Sequence, residues 1–379
     1  MSTQPRRRSR RLASPTAAAP SPDTPPPARL LDLPTDLLVR ALSRCDPADI
    51  ARVAAVSLLF YASLAVEAIR LWAQERGFEL PALPEGEGCA VRWLCFAALL
   101  REANPPARAA AGQRHSVFID GEGRLSSCGS DYPVAYYLPG GSVASSFLGH
   151  GEGVARLNTP TRLPSMLGDE RAVSVPSGIA HSLALTADGA VWSWGYGHHG
   201  RLGHGDQQHQ SLPKKIVAFA AQRVVAVSAG GAGSLAITAD GAVWSWGGGD
   251  EGQLGHGDRQ HQQLPKKVEV LAQRVVAVWA GSSHSIALTA NGAVWSWGNG
   301  SYGKLGHGDM QGQLLPKKVE AMAGQRVIAV SAGWQHSLAT TADGAVWSWG
   351  EGETGRLGHG EDLANQLLPK KIEVWALGQ

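Results

Sequence analysis

The chain has 379 residues, of which 44% are hydrophobic and 17% are charged. This length allows two or three domains, and the low charge indicates that most of the chain can bury a core. The formal net charge of +2 gives no overall reason to expect a nucleic acid or a membrane surface as partner.

No apolar run approaches the roughly 18–20 residues that span a bilayer, and the N-terminus lacks the apolar stretch of a secretory signal. The cysteines show no paired metal-ligand spacing and are Cys45, Cys89, Cys95 and Cys128. This usage is typical of a reducing compartment. We therefore expect a nuclear or cytoplasmic protein, or one found in both places, without a membrane span.

Residues 1–28 are predicted to be a disordered tail. They hold five arginines between Arg6 and Arg11, followed by serine, threonine, proline and alanine with few large apolar side chains. Such a composition buries too little surface to offset the entropy lost on ordering. The arginine cluster is either a nuclear-import signal or a solvated basic arm, and the sequence leaves both interpretations open.

Residues 29–78 are predicted to form a small helical module. A Leu-Pro pair at 33–34 begins the first helix, since proline suits the first turn. Asp46 caps a second helix that has Pro47 at its first position. A third helical stretch is predicted from Leu58 to Trp72. Three short helices make too small a core to stand alone, so the module needs a partner surface within the chain or outside it.

The run from Leu33 to Phe60 resembles an F-box, a segment that docks on the Skp-type adaptor of cullin-RING ubiquitin ligases. It has the leucine-proline entry and most of the helical apolar positions, although Cys45 stands where leucine is usual. The resemblance implies an adaptor-binding face made of Leu33, Pro34, Leu37, Leu42, Ile50, Val53, Val56 and Phe60. The alternative is a helical cap that packs on the neighbouring domain. Residues 79–105 are predicted to be a linker with one short helix.

A near-identical phrase, Gly-Ala-Val-Trp-Ser-Trp-Gly, recurs at 189–195, 241–247, 292–298 and 344–350. Each copy is followed by Leu-Gly-His-Gly, which begins at Leu202, Leu254, Leu305 and Leu357. Successive copies start 52, 51 and 52 residues apart. A fixed period of this length is typical of one supersecondary unit that is stacked or arranged radially.

Each repeat unit is predicted to contain four strands. In the unit around the second copy they are Arg223–Ser228, Ser234–Thr238, Ala242–Trp246 and Leu264–Val270. A tight turn at 239–241 joins the second and third strands, and Pro265 stands at the start of the fourth, where a missing N–H is tolerated. Four strands per unit make a propeller blade, so residues 106–379 are predicted to be a mainly β, propeller-type array.

The repeated glycines, tryptophans and Leu-Gly-His-Gly turns resemble the regulator-of-chromosome-condensation repeat, over residues 106–379. Its Gly-x-x-His-Ser element counts five units, beginning at Gly112, Gly178, Gly230, Gly281 and Gly333, and the third has Gly233 in place of histidine. This family usually closes seven blades. Five units could form a small ring, an open arc or a truncated product, and the sequence leaves all three open. An open array would leave unpaired strand edges that invite association.

The repeated side chains are predicted to be mainly structural. Tryptophans two residues apart point to one side of each strand, and packing is their ordinary use. The histidines lack local metal-ligand spacing and are predicted to satisfy buried backbone groups at turns. No catalytic set of residues stands apart from the repeat. We therefore expect no enzyme activity, no metal and no cofactor.

Lysine pairs recur at 214/215, 266/267, 317/318 and 370/371. A propeller would place them at equivalent positions on one rim. Such a basic arc either attracts acidic partners, including DNA, or serves solubility and protection of strand edges.

The positions that differ between units are the better candidates for recognition, because loops on a rigid scaffold carry binding residues. Gly129 and Leu148 are 19 positions apart, against 7 between Gly195 and Leu202, so the first unit contains an aromatic insertion. The insertion either binds a partner or covers a blade edge. From it and from the variable turns, the predicted target-binding residues are Tyr132, Tyr136, Tyr137, Tyr196, His198, Asp250, Tyr302 and Glu353.

These features predict a non-catalytic adaptor. By resemblance, the helical module would bind the Skp-type adaptor of a ubiquitin ligase and the repeat array would hold a target protein of unknown identity. The alternative is a guanine-nucleotide exchange factor or scaffold for a small GTPase. A lesser alternative is binding to chromatin or another acidic surface, although the net charge makes nucleic acid an unexpected partner.

Overall fold

The computed structural model describes residues 62–75, 108–130, 147–164 and 170–373. The predicted tail and linker lie outside these ranges, as do Tyr132, Tyr136 and Tyr137 of the insertion. So do the predicted adaptor-binding residues, Leu33, Pro34, Leu37, Leu42, Ile50, Val53, Val56 and Phe60. The chain divides into two units, residues 1–79 and 80–379.

One α-helix, α1, spans Ala62–Glu75 in the first unit. Its buried residues are Ala68, Ile69, Trp72 and Ala73. The spacing places them in one stripe along the helix, as expected for a helix that packs on a core. The predicted third helical stretch, Leu58 to Trp72, overlaps it and ends three residues too early. Within the described ranges, no helix is long and apolar enough to cross a membrane.

The second unit is mainly β and contains five four-stranded antiparallel sheets, the blades, each built from consecutive strands. The first two blades contain β1 Ala109–Ala111, β2 His115–Ile119, β3 Leu125–Ser130, β4 Arg156–Arg162, β5 Ala172–Ser174, β6 His181–Thr186, β7 Val191–Gly195 and β8 Gln210–Lys215. The third and fourth contain β9 Val224–Ala229, β10 Gly233–Thr238, β11 Val243–Gly247, β12 Gln262–Lys267, β13 Val275–Ala280, β14 His284–Thr289, β15 Val294–Gly298 and β16 Gln313–Lys318. The fifth contains β17 Val327–Ala332, β18 His336–Thr341, β19 Val346–Gly350 and β20 Gln366–Lys371. Short 3₁₀ helices occupy His198–Gly200, Val217–Phe219, Ser301–Gly303 and Glu320–Met322.

The predicted tight turn between the second and third strands is confirmed, and side-chain and backbone hydrogen bonds hold it together. In the third blade, Thr238 Oγ1 donates to the Asp240 carboxylate at 2.6 Å, and the Gly241 N–H donates to the Thr238 carbonyl at 2.8 Å. Gly241 has φ +85°, a conformation that favours glycine. The Thr-Ala-Asp-Gly sequence therefore specifies the turn through its side chains and its backbone.

The predicted fourth strand is displaced by two to three residues. Its proline, Pro265, lies inside β12 rather than at its start. The register between β11 and β12 shifts from Ser245 opposite Lys266 to Gly247 opposite Gln262. This irregularity on the outermost strand accommodates a residue without an N–H.

The hydrophobic core lies between neighbouring blades. Leu183, Leu185 and Val191 of the second blade pack against Ala236 and Trp246 of the third. Trp246 is fully buried, as are its equivalents Trp194, Trp297 and Trp349. Each blade therefore buries one face against the next, which explains why the Trp-Ser-Trp phrase repeats so closely.

The inner strands line a shallow groove of about 250 Å³. Its lining comes from equivalent segments of all five blades, within 111–113, 177–179, 229–231, 280–282 and 332–334. Backbone N–H groups of Ile179, Gly231 and Ser282 donate to the glycine carbonyl of the following blade, at 3.2, 3.0 and 3.4 Å. In the described residues this series ends at the fifth blade and does not return to Gly112. No bond of this series closes the described blades into a ring, and the three arrangements that the sequence allows stay open.

Candidate functional site

The histidine of each Leu-Gly-His-Gly turn contacts a buried serine of the same blade. In the second blade, His204 Nε2 lies 2.9 Å from Ser193 Oγ, which donates to the Leu202 carbonyl at 2.7 Å. The same pair of contacts recurs with Ser127, Ser245, Ser296 and Ser348. Because the hydroxyl proton points at the carbonyl, the serine accepts from the histidine, whose proton is on Nε2.

This arrangement excludes the reactive interpretation of these Ser–His pairs. A nucleophilic serine donates its proton to the imidazole, which acts as the base. Here the imidazole is the donor and the serine proton is held by a backbone carbonyl. The pairs therefore brace the turn. The sequence predicted that the histidines satisfy backbone groups directly, whereas they act through a serine hydroxyl.

A second set of histidines joins the first, second and fourth blades to the blade that follows each of them. The Nε2 atoms of His115, His181 and His284 lie 2.8, 2.9 and 3.0 Å from Ser182, Ser234 and Ser337 of the following blade. Ser234 and Ser337 donate in turn to the carbonyls of Arg201 and Lys304. We call these contacts the histidine–serine junctions. They are buried links of the scaffold, where a donor and an acceptor satisfy each other away from water.

Burial keeps these junction imidazoles neutral. It lowers the pKa of His115 to about 4 and that of His284 to about 3, the latter with help from the Lys304 cation. The pKa of His181 is also well below its usual value, because of burial and the nearby Arg201 guanidinium. At neutral pH each junction therefore consists of a neutral N–H donor and a hydroxyl acceptor.

The junction between the third and fourth blades lacks its histidine. Gly233 occupies the histidine position, while the acceptor Ser285 remains and donates to the Gln253 carbonyl at 2.8 Å. A cavity of only about 10 Å³ borders Gly233, Leu254 and Ser285. This junction thus lacks the imidazole that the other units place here.

The turns after Trp-Gly bring predicted target-binding residues to the junction of the second and third blades. Tyr196 is only 7% exposed, stacks on His209 with ring centroids 4.6 Å apart, and has the Arg201 guanidinium 5.1 Å from its ring. His198 lies against Tyr196 and has ring centroids 4.0 Å from His199. Tyr196 thus packs within the turn, and its predicted role in target binding stays a prediction.

Asp250 of the third blade faces two histidines. Its carboxylate lies 3.5 Å from His199 Nδ1 and 3.6 Å from His261 Nε2, and its side chain is exposed. The rings of His199 and His261 stack with centroids 4.0 Å apart. Burial and the neighbouring imidazoles lower the pKa of His199 to about 4. At neutral pH the His199 imidazole is therefore uncharged.

The ligand atoms of His199, Asp250 and His261 lie within 4.8 Å of one another, a grouping that resembles a metal site. However, the Gly249 N–H donates to His261 Nδ1 at 3.1 Å, so the ring proton is on Nε2, which faces Asp250. A protonated nitrogen cannot ligate a metal ion. The geometry therefore favours a hydrogen-bonded cluster over metal coordination.

His199, His209 and His261 were not among the predicted site residues. His209 accepts from the Gly197 N–H at 2.9 Å, and in the fifth blade Asn365 accepts from Gly352 in the same way at 3.1 Å. The signal was available only by aligning the units, since this position holds histidine, histidine, glycine and asparagine in turn.

Two further predicted residues lie on the turns of the fourth and fifth blades. Tyr302 is exposed and has φ +61°, which is uncommon for a residue other than glycine. It occupies the position of His199, and Glu353 occupies that of Asp250. Glu353 is exposed as well. Asp250, Tyr302 and Glu353 therefore present side chains to solvent at equivalent turns of neighbouring blades.

Acidic residues interrupt the predicted basic arc. One lysine of each pair has a carboxylate partner: Lys215 with Glu170 at 2.9 Å, Lys267 with Glu269 at 3.9 Å, Lys318 with Glu320 at 2.9 Å and Lys370 with Asp362 at 2.6 Å. These exposed pairs contribute little to stability. They do reduce the positive charge that an acidic partner would meet.

The comparisons agree with this architecture. The profile of the RCC1-like domain matches residues 97–379. The chain is 41% identical over 280 residues to the E3 ubiquitin-protein ligase HERC2 of Mus musculus. This match covers 71% of the chain but only 6% of that protein. It is 37% identical over 262 residues to the ultraviolet-B receptor UVR8 of Arabidopsis thaliana, covering 67% of the chain and 59% of the receptor.

Among solved structures, human WBSCR16 superposes with a TM-score of 0.60 at 25% identity, covering 70% of this chain and 66% of that one. The chain spans less than two thirds of the length of HERC2 and of UVR8. The similarity lies in its repeat array. Because the family profile covers most of the chain and agrees with the five four-stranded blades, the chain belongs to the RCC1-like domain family.

Proposed function

We propose that the chain is a non-catalytic adaptor whose RCC1-like array holds a target protein. One observation carries this proposal: the shared tryptophans Trp194, Trp246, Trp297 and Trp349 are buried, whereas Asp250, Tyr302 and Glu353, which differ between the units, are exposed at equivalent turns. Rigid blades that present variable side chains suit recognition of a macromolecule better than chemistry on a small substrate. The target-binding surface is the set of turns after Trp-Gly, here called the turn face.

We further propose that the F-box-like segment between Leu33 and Phe60 recruits a Skp-type adaptor, so that the chain acts as a substrate receptor of a cullin-RING ubiquitin ligase in the nucleus or cytoplasm. The support is the F-box-like pattern of the sequence. A relative that is named as a ubiquitin-protein ligase carries a stretch 41% identical to the array. That relative's activity belongs to a protein of which the match covers only 6%.

Binding of the full chain to a purified Skp-type adaptor tests the recruitment step. Wild-type protein should bind, and the double variant Leu37→Asp, Leu42→Asp should lose binding, because charge at these positions would disrupt an apolar docking face. A chain with Val217→Asp, a change at an exposed apolar residue of the array, is the matched control and should bind like wild type. Absence of binding by the wild-type chain would overturn the F-box assignment.

Target capture tests the turn face separately. Proteins that crosslink to the full chain in cells should be lost when Asp250 and Glu353 are both changed to lysine, since the change reverses the charge of exposed residues without disturbing the core. Val217→Asp again serves as the control. If the double variant retains all partners, the turn face is not the target-binding surface.

A nucleotide-release assay distinguishes the exchange-factor alternative. The adaptor proposal predicts that catalytic amounts of the full chain leave GDP release from small GTPases unchanged. Accelerated release would favour exchange activity and would leave the Skp-binding experiment to decide whether both roles coexist.

A further inference from the structure

One position in the loop between the third and fourth strands changes from polar to apolar along the array. From the second blade to the fifth it holds Gln207, Arg259, Met310 and Leu363. In each blade the preceding aspartate accepts from the N–H two residues further along, so the four positions are equivalent. Met310 is 60% exposed and Leu363 is 50% exposed. Because polar residues form the same turn in the second and third blades, the fold does not require apolar side chains here.

Met310 lies beside the turn face. A Cβ atom added to Gly300 would come within 2.9 Å of the Met310 carbonyl oxygen, so Met310 touches the turn that presents Tyr302, itself 38% exposed. A Cβ atom added to Gly308 would lie 3.4 Å from Cδ2 of the half-exposed Leu368, which brings this leucine of the fifth blade to the loop of Met310. The fourth blade has a neighbouring blade on each side, so the exposure of Met310 does not come from a missing neighbour. We call the surface of Tyr302, Met310, Leu363 and Leu368 the apolar patch.

The charges around the apolar patch are mainly negative. Residues 299–312 and 351–365 contain two cationic side chains, Lys304 and Arg356, and five carboxylates, which are Asp309, Glu351, Glu353, Glu361 and Asp362. Both cations are held by the fold, since Lys304 is 1% exposed and donates to Gln335 Oε1 at 2.5 Å, and Arg356 pairs with Glu351. Glu353 and Glu361 are exposed and form no ion pair with any residue that the structure describes. Unpaired negative charge therefore borders the apolar patch.

We infer that the apolar patch anchors the target, through an amphipathic segment whose apolar side chains are flanked by lysine or arginine. This inference rests on the proposed function, because the patch adjoins the turn face. Large exposed apolar side chains with a polar border are typical of an interaction site, and methionine adapts to the shape of an apolar partner. Cations of the bound segment would meet Glu353 and Glu361 at the rim, where opposite charges set orientation and speed association. The same carboxylates repel an acidic segment and an anionic lipid surface.

Two synthetic peptides test the chemistry of the occupant with the full chain. Both are amphipathic helices of about 18 residues with the same leucine stripe, and the polar face is lysine in one and glutamate in the other. Fluorescence anisotropy at an ionic strength of about 0.15 M should show binding of the lysine peptide and none of the glutamate peptide.

The double variant Met310→Gln, Leu363→Gln tests the apolar contact. Its affinity for the lysine peptide should fall by at least about tenfold, although every carboxylate is retained. Glutamine at these positions copies Gln207 of the second blade, so the variant should unfold at the same urea concentration as wild type. Leu264→Gln is the matched control. It changes a leucine that is 50% exposed in the third blade, near Arg259 rather than Met310, and should bind like wild type.

Methionine oxidation by hydrogen peroxide shows whether the patch is free in the full chain. Met310 should be oxidised much faster than Met322, which belongs to the same unit and is 2% exposed. The lysine peptide should slow the oxidation of Met310 alone. If Met310 reacts as slowly as Met322 before any peptide is added, another part of the chain covers the patch, and the inference is overturned.

The outcomes separate this inference from the proposed function. A wild-type chain that binds neither peptide, or both equally, overturns the inference, as does a double variant that keeps wild-type affinity. Crosslinking in cells tests the proposed function independently. Partners that are lost when Asp250 and Glu353 become lysine, but retained in Met310→Gln, Leu363→Gln, would leave the turn face as the target-binding surface and remove the apolar patch from it.

Discussion

Gly233 replaces the histidine that links neighbouring blades elsewhere. A Cβ atom added there would lie 3.4 Å from Leu254 Cδ2, an ordinary contact, and the backbone is not in the left-handed region. By equivalence with the other junctions, an imidazole at this position would donate to Ser285 Oγ. We predict that Gly233→His raises the free energy of unfolding by about 1–2 kcal/mol, from the new hydrogen bond and the lower entropy of the unfolded chain.

The effect is measurable by urea denaturation of the full chain, with Ser285→Ala as the partner change in a double-mutant cycle. If the gain comes from the junction, most of it should disappear in the Ser285→Ala background. A gain of equal size in both backgrounds would assign it to chain entropy alone. A loss of stability would show that the cavity cannot accept the ring.

The sequence predicted the structural role of some residues but not the contacts through which they act. The repetition of the Leu-Gly-His-Gly histidines predicts a structural role, because a scaffold residue recurs wherever the scaffold does. The direction of the hydrogen bond between His204 and Ser193 depends on a backbone carbonyl that only the fold brings near. Likewise, Tyr196 belongs to a variable turn and resembles a binding residue, but its stacking on His209 is a contact across twelve intervening residues.

At the scale of a single blade, the second tryptophan of each Trp-Ser-Trp phrase anchors a junction. Trp297 is fully buried, and its Nε1 donates to the Gln253 carbonyl of the preceding blade at 2.9 Å. We predict that Trp297→Ala lowers the free energy of unfolding by about 3–5 kcal/mol, through the cavity that it leaves and the loss of one of the two hydrogen bonds to the Gln253 carbonyl. Chemical denaturation monitored by circular dichroism provides the measurement.

Trp279 gives a matched control in the same blade, since it is 46% exposed. Trp279→Ala should change stability by less than about 1 kcal/mol, because little of the ring is removed from water. Similar losses for both variants would contradict the assignment of Trp297 as the anchor and would indicate that exposed aromatic area matters equally.

The number and order of strands per blade were predictable from alternation and turn signals, but the bounds of the outer strand were not. Proline normally marks a strand start or an edge, and the sequence places Pro265 at the start of its strand. The register shift between β11 and β12 lets the strand begin earlier, at Gln262. That shift is a property of pairing with the neighbouring strand and leaves no local signal.

For the whole array, the period predicts five blades but not whether they close. Closure depends on how far each blade rotates relative to its neighbour, which is set by side-chain packing at every junction. Sequence comparison between units does carry part of the answer. Ser126 and Cys128 replace both tryptophans in the first blade, and Thr340 replaces the leucine or isoleucine of the other well-formed units in the fifth. These changes lie at the two ends of the array, where the internal pattern of burial stops.

The buried junction histidines make the stability of the array depend on pH. Burial holds the pKa of His115 at about 4 and that of His284 at about 3, and it lowers the pKa of His181, all below the usual value of 6.5. The unfolded chain therefore binds more protons than the folded one once the pH falls below 6.5. Stability should be complete above this value and should be lost progressively toward pH 4.

The slope of the free energy of unfolding against pH shows whether the junction histidines cause this loss of stability. Each histidine that is protonated only in the unfolded state contributes about 1.4 kcal/mol per pH unit, so the three junction histidines contribute about 4 kcal/mol per unit near pH 5. His199 and His204, whose pKa values are lowered to about 4 by burial, add to this slope. Urea denaturation between pH 7.5 and pH 4.5, the window spanned by these pKa values, should show it. His284→Gln keeps an N–H donor for Ser337 but cannot titrate, so its slope should be lower by about 1.4 kcal/mol per pH unit. A stability that is flat across this range, or a slope that His284→Gln does not change, would mean that the junctions tolerate charged imidazoles.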